Sequence, residues 1–185
     1  EATTYGELTY AGFLNMLQQL PREHALSNSS RLFDIGSGVG KLVLACSMLT
    51  EAAECTGIEI VTSRHLLAVE ARRHAIAAGL LSANEAGRTR LEVGDGLARA
   101  RIDGATHLFV ANLCFGPGLN TRLARLLEAL AADPAASFRC AMLLRRLPAE
   151  SGCDDVEGHV CSRSMRKRVT LVAETVVAST WNVLT

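Results

Sequence analysis

Short apolar runs alternate along this chain with longer stretches in which apolar side chains return every three or four positions. Tyr10, Phe13, Leu14 and Leu17 fall at helical spacing, so residues 8–20 are expected to form an amphipathic helix packed on a sheet. Arg31 to Ile35 reads as a strand that runs into Gly36-Ser37-Gly38-Val39-Gly40, after which Leu42, Ala45, Cys46 and Leu49 mark one face of a helix. The rhythm then repeats. Glu54 to Ile60 reads as a strand, Thr62 or Ser63 can cap a helix carrying Leu66, Val69, Ile76 and Leu80, and Gly79 suits its end. Strands follow at Arg90 to Val93 and Thr106 to Val110. Next come a helix with Leu123, Leu126, Leu127 and Leu130 on one face and Pro134 beyond it, and a strand at Phe138 to Leu144. Residues 145–168 are polar, contain Pro148, Gly152 and Gly158, and read as a long loop of the kind that often carries function. Strands at Val169 to Ala173 and Thr180 to Leu184 close the pattern.

Each strand-helix-strand crossover needs its helix to cover the sheet, so this alternation predicts an α/β fold: a doubly wound, mostly parallel sheet with an antiparallel C-terminal strand. A chain of 185 residues is expected to make one domain, residues 1–185. It starts at Glu1 and not at a methionine, which points to a piece of a longer protein. Lys plus Arg and Asp plus Glu balance at 19 each, so the overall field steers no charged partner and any such partner must be met locally. Basic flanks beyond the chain leave nucleic-acid contact open. No apolar run approaches the roughly 20 residues that cross a bilayer, and no signal peptide opens the chain, so a soluble intracellular protein with no membrane partner is expected. The six cysteines include no C-x-x-C pair, so they are read as reduced and structural, and no metal site is expected.

The strongest chemical signal is Asp34-Ile35-Gly36-Ser37-Gly38-Val39-Gly40, which ends one strand and opens a helix. Glycines there permit a tight turn and let a ligand approach the backbone at a helix N-terminus. Three nucleotide motifs compete for it. A dinucleotide fingerprint starting at Gly36 requires glycine where Lys41 stands, and a phosphate loop ending at Gly40-Lys41 requires glycine and a hydroxyl where Ile35 and Leu42 stand. The acidic-x-G-x-G-x-G form instead resembles the first motif of class I methyltransferases. Glu59, at the end of the second strand of the repeat, is placed to accept hydrogen bonds from both hydroxyls of a ribose. Asp95, in Gly94-Asp95-Gly96-Leu97, can accept from an adenine amino group, or simply form the turn. The strand ending in Val110-Ala111 leads into Asn112-Leu113-Cys114-Phe115-Gly116-Pro117, where such folds meet their substrates; an Asn that only caps the next helix is the plainer reading.

Four segments together resemble a particular family, the disruptor-of-telomeric-silencing type of histone H3 lysine methyltransferase. They are Tyr5-Gly6-Glu7-Leu8, Asp34 to Gly40, Gly94 to Leu97, and Asn112 to Pro117, and they span most of the chain in the family's order. The resemblance implies methyl transfer from S-adenosyl-L-methionine, leaving S-adenosyl-L-homocysteine, to a lysine in the globular core of histone H3 within nucleosomes. It implies a nuclear protein, and a monomer is expected. By the same resemblance Tyr5 and Glu7 lie in a loop over the cofactor, and Asp34, Gly36, Gly38, Lys41, Glu59, Asp95 and Gly96 line its pocket. Asn112 is the candidate catalytic amide, and Phe115 and Trp181 are candidates for the lysine channel. Arg163, Arg166, Lys167 and Arg168, with Arg145-Arg146, form a basic cluster whose planar donors suit the acidic patch of a nucleosome.

The chain departs from the family at Ala111, where the first of two successive asparagines is usual, and at Gly96, where an aromatic residue often stands beside adenine. Two other readings therefore stay open. One is a class I methyltransferase acting on another protein, RNA or a small molecule, and the other is a chromatin adaptor that binds the cofactor without catalysis.

Overall fold

The computed structural model describes residues 5–147 and 179–182. Its centre is a parallel sheet of five strands in the order β4-β3-β2-β5-β6. These are β2 (Arg31–Ile35), β3 (Glu54–Glu59), β4 (Thr89–Val93), β5 (His107–Val110) and β6 (Cys140–Leu143). From β2 the chain winds outward to β3 and β4, then returns to the other side of β2 for β5 and β6. The strand order therefore reverses between β2 and β5, and the crevice at that switch point opens at the strands' carboxyl ends, where this fold binds ligands. The register aligns those ends, with Ile35 level with both Ile58 and Val110, and Val110 level with Leu143.

Side chains alternate across the sheet as strand geometry requires. Leu32 and Phe109 join one apolar cluster with Phe13 and Met16 of α1 (Tyr10–Gln18) and Val43, Ala45 and Cys46 of α2 (Lys41–Leu49). Phe33, Ile35, Leu108 and Val110 face the other way, onto Leu123, Leu126, Leu127 and Leu130 of α5 (Pro117–Ala132). A third cluster sets Leu44 of α2 against Ala71 and Ala75 of α3 (Thr62–Ala77), with Leu81 and with Ala86 of α4 (Ala83–Arg88). Helices thus cover both faces, as the alternating pattern predicts.

The opening helix is shorter than the expected 8–20 because Thr9 caps it, its hydroxyl accepting from Gly12 N–H at 3.0 Å. Helix α3 differs more. Neither Thr62 nor Ser63 caps it; Val61 holds that position with no side-chain bond. Its expected apolar face is on the outside, with Leu66 60% and Val69 44% exposed, Leu80 lies beyond its end, and Ala68, 1% exposed, is its buried residue. The reason is close approach. A Cβ on Gly40 would come within 2.9 Å of the Ala68 Cβ, so only small side chains fit between α3 and the start of α2. The C-terminus of α3 behaves as its sequence predicts: Gly79 takes φ +69, and Gly79 and Leu80 donate to the carbonyls of Ile76 and Ala75. Helix α4 follows through a capping box between Ser82 and Glu85, an element the apolar pattern did not reveal.

The C-terminal strand β7 (Ser179–Asn182) pairs antiparallel with β1 (Tyr5–Leu8), and among the described residues these two form a sheet separate from the parallel one. The expected strand at Val169 to Ala173 lies outside the described residues. Cys46, Cys55 and Cys140 are free and buried as expected, but Cys114 is exposed. Among the described residues no helix is long and apolar enough to cross a membrane, and no group of three His, Cys, Asp or Glu side chains could hold a metal ion.

Candidate cofactor and substrate site

The glycine turn is built by three positive backbone angles, φ +77 at Gly36, +55 at Gly38 and +77 at Gly40, a region other residues enter only under strain. Ile58 of the neighbouring strand holds the turn down, its carbonyl accepting from Gly36 N–H at 2.8 Å and Ser37 N–H at 3.2 Å. Gly57 makes room for this. A Cβ there would strike Val43 at 2.7 Å and Ser37 at 2.8 Å, so a glycine inside β3 is what lets the turn and α2 settle onto the strand. Sequence reasoning passed over Gly57, although an isolated strand glycine is the signal for such an approach.

Two carboxyl groups meet beside this turn. Glu59 is buried, its Oε2 accepting from Gly38 N–H and its Oε1 from Val61 N–H, each at 2.8 Å. Each oxygen keeps a lone pair for a further donor. Asp34, on the adjacent strand, is also buried, and no donor to its carboxyl is found among the described residues. Burial, and then the charge of Glu59, push its pKa up to about 8, so at neutral pH Asp34 is largely protonated.

A nucleoside with a cationic amino-acid tail fits these residues. Among the described residues nothing lies within 4 Å of the position a Cβ would take on Gly36, so there is open space beside that glycine. Glu59 has lone pairs left for hydroxyl donors, and Asp34, once ionised, has the charge to face a cation. Asp95 stands farther along the same rim, with Oδ1 accepting from Leu97 N–H at 2.9 Å and Oδ2 from the Arg122 guanidinium. Arg122 holds its pKa below the usual carboxylate value. This partner from α5 carried no signal in the sequence. Gly96 is explained by packing, since a Cβ there would come within 2.8 Å of Ile35 Cγ2, so the chain cannot carry an aromatic residue at that place without moving Ile35.

Lys41 opens α2, and its ammonium lies 5.2 Å from the centre of the Tyr10 ring on α1. Tyr5 and Glu7 belong to β1, with Glu7 level with Thr180, and Gly6 pairs with Trp181 of β7. The ladder therefore brings the candidate cofactor loop and the candidate channel residue Trp181 onto neighbouring strands. Arg163, Arg166, Lys167 and Arg168 lie outside the described residues.

Asn112 follows β5 in a short 3-10 turn and is fully buried. Its Nδ2 donates to Asn120 Oδ1 at 3.1 Å and to the Arg145 carbonyl at 2.9 Å, while its Oδ1 accepts from Arg145 N–H at 2.9 Å. Both donors of the amide are in use. Phe115 is half-buried against the apolar cluster under α5. Asn120, which sequence reasoning also missed, continues the buried stripe of Leu123 and Leu127 on α5, and a polar residue in that stripe is the mark by which it stands out.

Residues 1–134 match the family described as Histone methylation protein DOT1. The chain belongs to that family. No curated protein matches it. Solved structures similar to this DOT1-family chain include an RNA methyltransferase from Salinibacter ruber in complex with S-adenosyl-L-homocysteine. It is 26% identical, with a TM-score of 0.48 over 63% of this chain and 65% of that one. TrmK of M. capricolum in complex with the same product is 11% identical, with a TM-score of 0.48 over 74% of this chain and 52% of that one. The chain thus spans less than two thirds of each.

Proposed function

We propose that this chain is a histone-lysine N-methyltransferase that uses S-adenosyl-L-methionine and acts on a lysine in the globular core of histone H3 in nucleosomes, with residues 1–185 as one catalytic domain. The observation that carries the reading is the pair of buried carboxyl groups, Asp34 and Glu59, on adjacent strands beside a glycine turn with open space at Gly36. Membership of a family named for histone methylation supplies the substrate class.

When bound, the cofactor supplies a methyl group made electrophilic by a sulfonium centre. Every other part belongs to the chain. Glu59 orients the ribose through its free lone pairs, Asp34 meets the ammonium of the amino-acid tail, and Asp95 faces the adenine. The lysine must arrive as a neutral amine with its lone pair in line, so alignment and exclusion of water matter more than a strong base. Phe115 offers an apolar wall for that amine, with Trp181 as a second candidate. Arg163, Arg166, Lys167 and Arg168 are assigned to an acidic protein surface on the nucleosome, and the site of action to the nucleus.

A second reading, binding without catalysis, is favoured by one observation. Ala111 stands where an amide is usual, and the amide of Asn112 is committed to Asn120 and Arg145. Radiolabelled methyl transfer to recombinant nucleosomes, with mass spectrometry to locate the label, separates the two. Label on a histone H3 lysine, abolished by Gly36→Arg, is expected. Cofactor binding by calorimetry with no label on any histone would establish the adaptor, and no cofactor binding at all would overturn both readings.

A further inference from the structure

The parallel ladder between β5 and β6 ends at Val110 and Leu143, yet the pairing continues two residues farther by other means. At 112 and 145 the side-chain amide of Asn112 bonds both the N–H and the carbonyl of Arg145, each at 2.9 Å, standing in for a strand's peptide group. Its second N–H passes the connection to Asn120 Oδ1 at 3.1 Å. Asn120 in turn donates to the carbonyls of Phe115 at 2.9 Å and Gly116 at 3.4 Å, the last two residues before α5. Two buried amides therefore run in series from the end of β6 to the turn that carries Phe115, and both side chains are almost wholly out of solvent.

We propose that Asn112 and Asn120 form a clasp that positions Phe115 and Arg145 at the substrate side of the site, with Asn112 acting through this placement and not by touching the lysine amine. The inference rests on the methyltransferase reading for its kinetic consequence but not for its structural one. Amides buried this deeply are costly to leave unpaired, so each holds the other in place: remove one, and the other loses a partner it cannot replace with water. With both N–H groups of Asn112 spent on protein acceptors, the amide has no donor left for a substrate. Displacing the reacting groups by an ångström is enough to slow turnover severely.

The test measures the same protein in two ways. Hydrogen exchange at the Arg145 amide should show protection in the wild type and loss of it in Asn112→Ala. Unchanged protection in that variant would overturn the clasp whatever the chain's activity, so this arm remains decisive even if no methyl transfer is found. In kinetics on nucleosomes, Asn112→Ala and Asn120→Ala should each lower kcat by about tenfold or more while cofactor affinity stays within about threefold. The double variant should be no worse than the weaker single one by more than about twofold, because the two residues act as one unit. Full turnover in Asn120→Ala beside a dead Asn112→Ala, or effects that multiply, would make Asn112 a residue that meets the substrate directly and overturn the proposal.

Discussion

The two halves of the sheet are finished in opposite ways. On the side of β2, β3 and β4 the chain brings elements close together with small residues, Gly40 against Ala68 and Gly57 against Ser37, and leaves the Asp34 carboxyl without a donor among the described residues. On the side of β5 and β6 the helix packs through a full stripe of leucines, and the polar groups beneath it, Asn112 and Asn120, are bonded to protein partners. One half spends packing and polar satisfaction to make a receptive turn; the other is complete in itself. The Asp34 carboxyl, beside Glu59 and the glycine turn, is why the first half carries the cofactor assignment.

The contrast can be broken most forcefully in the complete half. Leu123→Ala should cost about 3–4 kcal/mol in urea unfolding, because Leu123 has no exposure and its loss leaves a cavity under α5. A cost under about 1 kcal/mol would mean the leucine stripe is not the support described. In the receptive half the opposite change is the damaging one. Ala68→Leu should lower stability by roughly 1–3 kcal/mol by forcing α3 away from Gly40, and it should weaken cofactor binding as the glycine turn shifts. A stabilised variant would refute the close-approach explanation.

Asp34 sharpens the contrast through pH. Its native pKa of about 8 stands above the ordinary 3.8, so between those values the folded protein holds a proton that the unfolded chain releases. Stability should therefore fall as pH rises through that window, by up to about 1.4 kcal/mol per pH unit, and Asp34→Asn should flatten the fall. A cation that pairs with the ionised carboxylate binds more tightly over the same rise, so cofactor affinity measured by calorimetry should improve from pH 6 to pH 8. An affinity that is flat in pH would remove Asp34 from contact with the ammonium. The smallest effect belongs to the outer face of α3. Leu66→Gln and Val69→Gln should each change stability by no more than about 0.5 kcal/mol in thermal melts, whereas a pattern-based core position would lose several times that.

Period and punctuation determined much of this protein. The alternation of strands and helices, the bounds of β2, the leucine face of α5, the glycine stop after α3 and the motif from Asp34 to Gly40 were all legible, because each depends on residues adjacent or one helical turn apart. Tertiary structure decided what depends on distances between elements. The apolar residues of α3 have helical spacing, yet which face turns inward was settled by how near α2 lies, a fact held by Gly40 and Ala68 together and by neither segment alone. The hydrogen bonds of Asn112, the candidate catalytic amide after β5, were likewise beyond the sequence. Its partners stand 8 and 33 residues away along the chain, at Asn120 and Arg145, and a hydrogen bond between such positions has no signature in a linear pattern. Local propensity writes the elements; the spacing between packed elements chooses which side chains are buried, bonded or left open.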